Sequence, residues 1–361
     1  MNNDELAILW LEVFDFLTIN KKQDIINIFD TPSNMYENFM NGKDEILKHI
    51  SLVQYEKMLR MHTSQVVDKY LTFLDSNNIK FTTCYSNDYP EFLFDYENNP
   101  LILYYKGNLD LVYSTCVGVV GTRKFTRYGE RVTEKYCEKL SQNGVTIVSG
   151  FAEGVDSIAS KTALSCGGKT IAIIGSGLNE IYPKSNEKFA EEVAKNGLIL
   201  SEYPPYMKAQ TFHFPQRNRL IAGFSKCVLI TEAGSKSGVM YTKDFALEYG
   251  KEVFVVPGNI DSETSLGTNA IIKSLQGSVT TDPSDILDFL GVADNFKKQD
   301  EKGNDLSKEE MLILECIGGE EVHFNEIQIR TKLDTKLLLT LLTTMELNGI
   351  IKKLAGNYYA K

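Results

Sequence analysis

The segment Phe212-His213-Phe214-Pro215-Gln216-Arg217-Asn218-Arg219 sets two arginines around an asparagine, with two phenylalanines just before them. Arginine presents a planar fork of donors that fits phosphate oxygens, and an aromatic face can stack an unpaired base. Recognition of a polyanion is the chemistry this spacing suits. The same residues fit a plainer reading, in which one arginine pairs with an internal acid and both rings enter the core.

Loops of glycine and small polar residues recur at the ends of apolar runs. They are Gly121-Thr122-Arg123-Lys124, then Ser149-Gly150 through Glu153-Gly154-Val155-Asp156, then Gly175-Ser176-Gly177 leading to Tyr182-Pro183-Lys184-Ser185-Asn186. Ser201-Glu202-Tyr203-Pro204, Glu232-Ala233-Gly234-Ser235-Lys236-Ser237-Gly238 and Pro257-Gly258-Asn259 follow. Glycine lets backbone N–H groups approach a ligand, and helix N-termini favour anions, so such a ridge suits phosphates. Loops of this kind also serve as tight strand-to-helix turns. No GxxxxGK[ST] occurs, and Gly175-Ser176-Gly177 lacks the third glycine of a dinucleotide fingerprint. Four histidines (His49, His62, His213, His323) share no metal-ligand spacing, and no serine nucleophile elbow is present. We therefore expect no catalytic residue, no metal and no cofactor. Asp156, Glu202 and Glu232 read as acceptors that cap loops or orient ligand-binding arginines.

The elements that must position these loops are legible in the pattern. Short β-branched runs stand at 115–120, 145–148, 170–174, 197–200, 227–231 and 252–256, separated by amphipathic stretches such as 127–143. Near-continuous apolar strands alternating with helices predict an α/β fold, a mostly parallel sheet covered on both faces. Ligands of such sheets bind at the carboxyl ends of the strands. Ahead of it, residues 1–75 read as a small helical domain without a glycine-rich hairpin. Residues 76–106 hold two extended pieces, Ile79–Cys84 and Leu101–Tyr105. The main α/β domain is expected over 76–292 and a polar linker over 293–306. Three helices and a hairpin over 307–361 follow the winged-helix order. The third of those helices has Lys336 as its one cation, which favours protein contact or structure over groove reading.

The 361 residues allow two to three domains. Net charge is −10, but its distribution says more. Residues 1–106 hold 9 basic against 16 acidic side chains, whereas 107–290 hold 19 against 20. A near-neutral middle can carry a local basic groove. Six cysteines lie apart with no CxxC pair, against a disulfide framework or a zinc knuckle. An acidic N-terminus and the lack of a long apolar run give the expectation of a soluble, cytoplasmic protein without membrane contact.

Taken together the motifs resemble the DNA-processing protein A family (DprA, also called Smf). Gly121-Thr122-Arg123 meets its first-strand loop, Ser149 to Asp156 its SGxAxGxD, and Gly175 to Asn186 its GxGxxxxYPxxN. Ser201 to Pro204 meets SExP, Phe214 to Gly223 meets FPxRNRxIAG, and Glu232 to Thr242 meets EAxxxSGxxxT. Val256-Pro257-Gly258 and Ser265 to Asn269 complete the set. Two positions depart from the pattern: Glu153 stands where the family often has arginine, and Ser160 where it often has histidine.

The resemblance implies an extended Rossmann-like, doubly wound domain, usually dimeric, that binds single-stranded DNA. Members protect incoming strands during natural transformation and help load the RecA recombinase, and they are not established enzymes. Carried over by motif, Arg123, Arg217 and Arg219 would contact phosphates, with Lys184 and Lys236 adding charge. Gly121, Thr122, Ser149, Gly150, Asn186, Asn218, Ser237 and Gly238 would track the backbone, and Phe214 would stack a base. Two other readings stay open. One is a Rossmann-like nucleotide-phosphate-binding phosphohydrolase built on the Glu232 loop, which lacks the doubled glycines of such enzymes. The other is a winged-helix regulator of duplex DNA with a sensory domain.

Overall fold

The structure, a computed structural model, describes residues 1–294, 306–318, 320–347 and 349–361. It divides into two compact units, Met1–Ala293 and Asp294–Lys361. The linker expected over 293–306 lies, except at its ends, outside the described residues.

The first unit opens with six helices, α1 (Asn3–Glu12), α2 (Ile19–Asn27), α3 (Pro32–Glu37), α4 (Lys43–Ile46), α5 (Leu52–Arg60) and α6 (Ser64–Ser76). Asn2 starts α1 by a reciprocal capping box with Glu5, which satisfies two N–H groups that the helix leaves unpaired. The helices close over Trp10, which is fully buried and meets Phe14 and Phe39 edge-on at 5.1 and 5.0 Å. Its indole N–H donates to the Met61 carbonyl at 2.9 Å, so the ring is buried without an orphaned donor. The same core runs on into Tyr104 and Ile199 of the sheet. There the Tyr70 hydroxyl donates to that of Tyr104 at 2.7 Å.

Nine strands follow: β1 (Lys80–Thr83), β2 (Ile102–Gly107), β3 (Cys116–Val120), β4 (Thr146–Ser149), β5 (Thr170–Ile173), β6 (Leu198–Ser201), β7 (Cys227–Ile230), β8 (Glu252–Val255) and β9 (Ser278–Val279). They lie in the order β1-β2-β6-β5-β4-β3-β7-β8-β9. β1 and β2 run antiparallel to their neighbours, and the other pairs are parallel. The fold is α/β with a mostly parallel sheet, as the pattern of apolar runs predicts. Successive side chains of a strand point to opposite faces, and β3 shows it: Val117 and Val119 join one core, Cys116 and Val120 the other.

From β3 the chain winds through β4, β5 and β6 to one side, then returns to pair β7 against β3, with Val120 opposite Ile230. The winding direction reverses between β3 and β7, and the carboxyl ends of those strands open a crevice there. Helices α7 (Arg127–Gln142), α8 (Val155–Ser165), α9 (Glu187–Asn196), α10 (His213–Gly223), α11 (Val239–Glu248), α12 (Leu266–Lys273) and α13 (Ser284–Leu290) complete the unit.

The second unit has helices α14 (Lys308–Ile317), α15 (Phe324–Thr331) and α16 (Thr335–Leu347) and a three-stranded antiparallel sheet. Its strands are β10 (Val322–His323), β11 (Lys352–Leu354) and β12 (Tyr358–Ala360). Ile313, Ile327, Leu338, Leu342 and Tyr359 form its core. This is a winged-helix fold. Among the described residues, no helix is long and apolar enough to cross a membrane.

Candidate nucleic-acid interface

The crevice between β3 and β7 widens into a groove of about 850 Å³, lined by Thr122, Arg123, Lys124, Phe214, Asn218, Lys236 and their neighbours. Its walls are loops, so each is shaped by internal hydrogen bonds. Glu232, at the end of β7, is the main organiser. Its carboxylate is buried and accepts the Thr126 N–H at 2.9 Å, the Thr126 hydroxyl at 2.9 Å and the Thr264 hydroxyl. Its carbonyl accepts the Thr122 N–H at 2.7 Å. One buried acid thus ties the 121–126 loop and the 262–265 turn to β7. Through these bonds Glu232 acts as a scaffold for the loops around it.

Arg123 stands exposed at the rim, its guanidinium 5.5 Å from the centre of the Phe214 ring. A cation over an aromatic face is held by the ring quadrupole. Phe214 in turn lies 5.6 Å from the ring of Tyr182 and rests on Gly175, where a Cβ would come within 3.1 Å of it. Three segments distant in sequence therefore meet as one cationic and aromatic cluster. Lys184 and Lys236 are both exposed.

Arg217 lies deeper. It is 4% exposed, and its Nη1 donates to the carbonyls of Gly150 and Ile173 at the ends of β4 and β5. Its Nε donates to Asn218 Oδ1 at 3.2 Å. Burial pulls its pKa down to about 10. Beside it, burial pushes the Asp156 carboxyl up to about 6, against the opposing pull of Arg217 and Arg123. Gly150 leaves the space for this pair: a Cβ there would stand 2.6 Å from Asp156 Oδ2 and 2.7 Å from Arg217 Nη2.

Arg219 is turned away from the groove. Its guanidinium meets Glu202 through Nη1 to Oε1 at 2.8 Å and Nη2 to Oε2 at 2.7 Å, and donates to the Asn98 carbonyl at 2.8 Å. Arg219 is thus engaged in an internal network and does not line the groove. Two residues of an α-helix at i and i+2 point about 200° apart, and here Arg217 points to Gly150 while Arg219 points to Glu202. Ser149 and Asn186 also lie below the surface. The Ser149 hydroxyl donates to Val119 O at 2.7 Å, and the Asn186 amide donates to Phe151 O and Ser157 Oγ, both at 3.0 Å. They shape the loops and do not line the groove.

Apart from Lys184, the remaining expected residues line the groove or the small pocket beside it. Thr122 Oγ1 accepts the Lys124 N–H at 3.2 Å, and Gly121 packs against Val155. Asn218 Nδ2 donates to Gly238 O at 3.4 Å, joining α10 to the loop of Lys236 and Ser237. Among the departures, Glu153 is exposed and accepts from Ser185 Oγ at 3.4 Å, whereas Ser160 is buried and bonded by Thr170. Among the groove residues that sequence reasoning passed over are Lys124 and Tyr182. Their signal was present, since Lys124 follows Arg123 and Tyr182 begins the Tyr-Pro pair of the Gly175 segment.

Fold and groove together define a doubly wound α/β protein with a groove at its switch point that carries Arg123, Lys124 and Lys236, in one chain with a winged helix. The family model of DNA recombination-mediator protein A matches residues 80–291, and that of the DprA winged helix domain matches 297–357. The chain belongs to the DNA recombination-mediator protein A family, DprA/Smf. It is 34% identical over 303 residues to Protein Smf of Escherichia coli K12, covering 81% of this chain and 80% of that one. The match to Protein Smf of Synechocystis, 40% identical, covers 61% of this chain and 56% of the relative's length. Among solved structures, DNA processing protein A of Streptococcus pneumoniae aligns with a TM-score of 0.60 at 30% identity, over 80% of this chain and 97% of that one. DNA processing protein A of Helicobacter pylori, whose structure concerns its single-stranded DNA binding mode, aligns with a TM-score of 0.54 at 34% identity, over 58% of this chain and 95% of that one.

Proposed function

We propose that this protein binds single-stranded DNA in the switch-point groove, protects incoming strands and helps load the RecA recombinase onto them, acting as a homodimer. The observation that carries the DNA reading is the exposed Arg123 held over Phe214 beside Tyr182. That cluster joins a phosphate ligand to aromatic surface, the pairing that single strands favour. The likeness to the H. pylori protein supports it. Arg123, Lys124, Lys184 and Lys236 contact phosphates, and Thr122, Asn218, Ser237 and Gly238 track the backbone between them. Arg217 and Gly150 form the floor, while Arg219, Ser149 and Asn186 hold the loops in place.

Binding of this kind is sequence-tolerant and salt-sensitive, because neutralised phosphates release counterions. A duplex hides the base faces, so the groove prefers an unpaired strand. The test is fluorescence anisotropy of a labelled oligo-dT with unlabelled duplex of equal length as competitor. Retention of the single strand against excess duplex supports the proposal, and equal competition contradicts it. Recombinase loading is measured separately, as RecA filament assembly on a strand already coated with a single-strand-binding protein. Light scattering gives the mass of the assembly, which the dimer proposal puts at twice the 40.7 kDa chain.

A further inference from the structure

We propose that the N-terminal helices dock a short basic and apolar segment of a partner protein, in a groove between α1, α3 and α6. The groove has a volume of about 300 Å³ and lies outside the residues that the two family models match. α1 gives it Leu6 and Ala7, α3 gives Tyr36 and Glu37, and α6 gives Val67 and Asp68. Its floor is apolar and already fixed. Ala7 and Val67 are buried and belong to the core around Trp10. The Tyr36 ring meets Trp10 edge-on at 5.3 Å and lies 4.2 Å from the ring of His62, whose Nε2 is 2.7 Å from the Tyr36 carbonyl oxygen. A floor ordered by the core loses little freedom when a ligand side chain enters it.

The rim is acidic. Glu37 and Asp68 are exposed, neither has an ion-pair partner among the described residues, and no lysine, arginine or histidine lines the groove. Residues 1–75 hold 7 basic against 12 acidic side chains, so the surrounding field has the same sign as the rim. The helix ends nearby do not reverse it. At the start of α1 the Asn2 side chain accepts the Glu5 N–H at 2.9 Å, and at the start of α3 Asp4 accepts the Ser33 N–H at 2.9 Å. α6 starts without a side-chain cap, but two carboxylates outweigh the half charge of one helix end. A nucleic acid meets this rim as like charge, which leaves a protein segment as the occupant. Floor and rim then fix its chemistry: an apolar side chain for the floor, with lysine or arginine beside it for Glu37 and Asp68.

The test pans a random dodecapeptide phage library on the full-length protein, with the Glu37→Lys/Asp68→Lys double variant as counter-selection. Both side chains are exposed and unpaired, so the variant is expected to keep the fold, which near-ultraviolet circular dichroism checks. Retained peptides are expected to set lysine or arginine beside a leucine, isoleucine, phenylalanine or tryptophan. The most enriched peptide, synthesised with a fluorescent label, is expected to bind the variant about tenfold more weakly than wild type, since two surface ion pairs become repulsive contacts. The same peptide with glutamate at its basic positions is expected to recover that loss on the variant. With alanine at its apolar position it is expected to lose affinity for both proteins. An enriched set without cations, equal affinity of the selected peptide for wild type and variant, or no enrichment at all would overturn the proposal. It does not rest on the single-strand reading, and oligo-dT titrations of the same two proteins let either claim fall alone.

Discussion

Arg219 and Glu202 form a two-pronged ion pair below the surface, 2.8 and 2.7 Å between their facing atoms, with both side chains 9% exposed. The pair fastens α10 to the end of β6 and leaves Arg219 no group for a ligand. Removing one partner strands the other charge in a poorly solvated site, at a cost of about 3–5 kcal/mol. Arg219→Ala and Glu202→Ala are therefore expected to lower the urea midpoint by similar, large amounts. The double variant should lose less than the sum, because neither charge is then left alone. A direct DNA contact at Arg219 would show instead as lost affinity with unchanged stability.

Glu232 is the second structural hinge of the site. Its carboxylate accepts from Thr126 N–H, Thr126 Oγ1 and Thr264 Oγ1. Glu232→Gln puts an NH₂ where an acceptor is needed, and an unmet buried hydrogen bond costs about 1–3 kcal/mol. Thermal unfolding should register that loss. Affinity for oligo-dT should fall as well, because the loop that carries Arg123 is released from β7.

The buried carboxyl of Asp156 couples the groove to pH. Its pKa in the fold is about 6, above the ordinary 3.8, with burial the leading cause. A raised pKa means that the folded state binds the proton more tightly than the unfolded state. The resulting stabilisation is complete below about 3.8 and is lost as pH rises through about 6. Asp156→Asn should therefore flatten the stability profile between pH 4 and 7 by on the order of 1–3 kcal/mol relative to wild type. It should also tighten oligo-dT binding at pH 7.5, since the negative charge beside Arg217 and Arg123 is gone. Wild-type binding should strengthen below pH 6, and the variant should show less of that change.

Much of this architecture was readable in advance. The six apolar runs became β3 to β8 within a residue at most ends, because a strand buried on both faces needs nothing but apolar residues. The three helices and hairpin of the winged helix were equally plain. β9 was not, as Ser278–Val279 is two residues long and exposed, without a hydrophobic run to mark it. The site was legible as a set of loops and illegible in its depths. Phe-Pro-Gln-Arg-Asn-Arg reads as two free arginines until it coils into α10 and sends one inward to Gly150 and the other back to Glu202. The family resemblance put Ser149 and Asn186 among the donors that track the DNA backbone, and both turn beneath the surface to bond backbone carbonyls. Sequence adjacency favoured Phe214 as a stacking ring, and it could not show that Arg123 from a distant loop would cover it. Partners of this kind are set by strand order, which no local pattern encodes.

The central claim is that a strand's phosphates meet the loop after β3. The most direct test is the salt dependence of oligo-dT affinity, measured by anisotropy for wild type and Arg123→Ala. Loss of one phosphate contact should lower affinity about tenfold and make the log–log salt slope shallower by about 0.7. Unchanged affinity and an unchanged slope would place the DNA elsewhere on the protein and contradict the account.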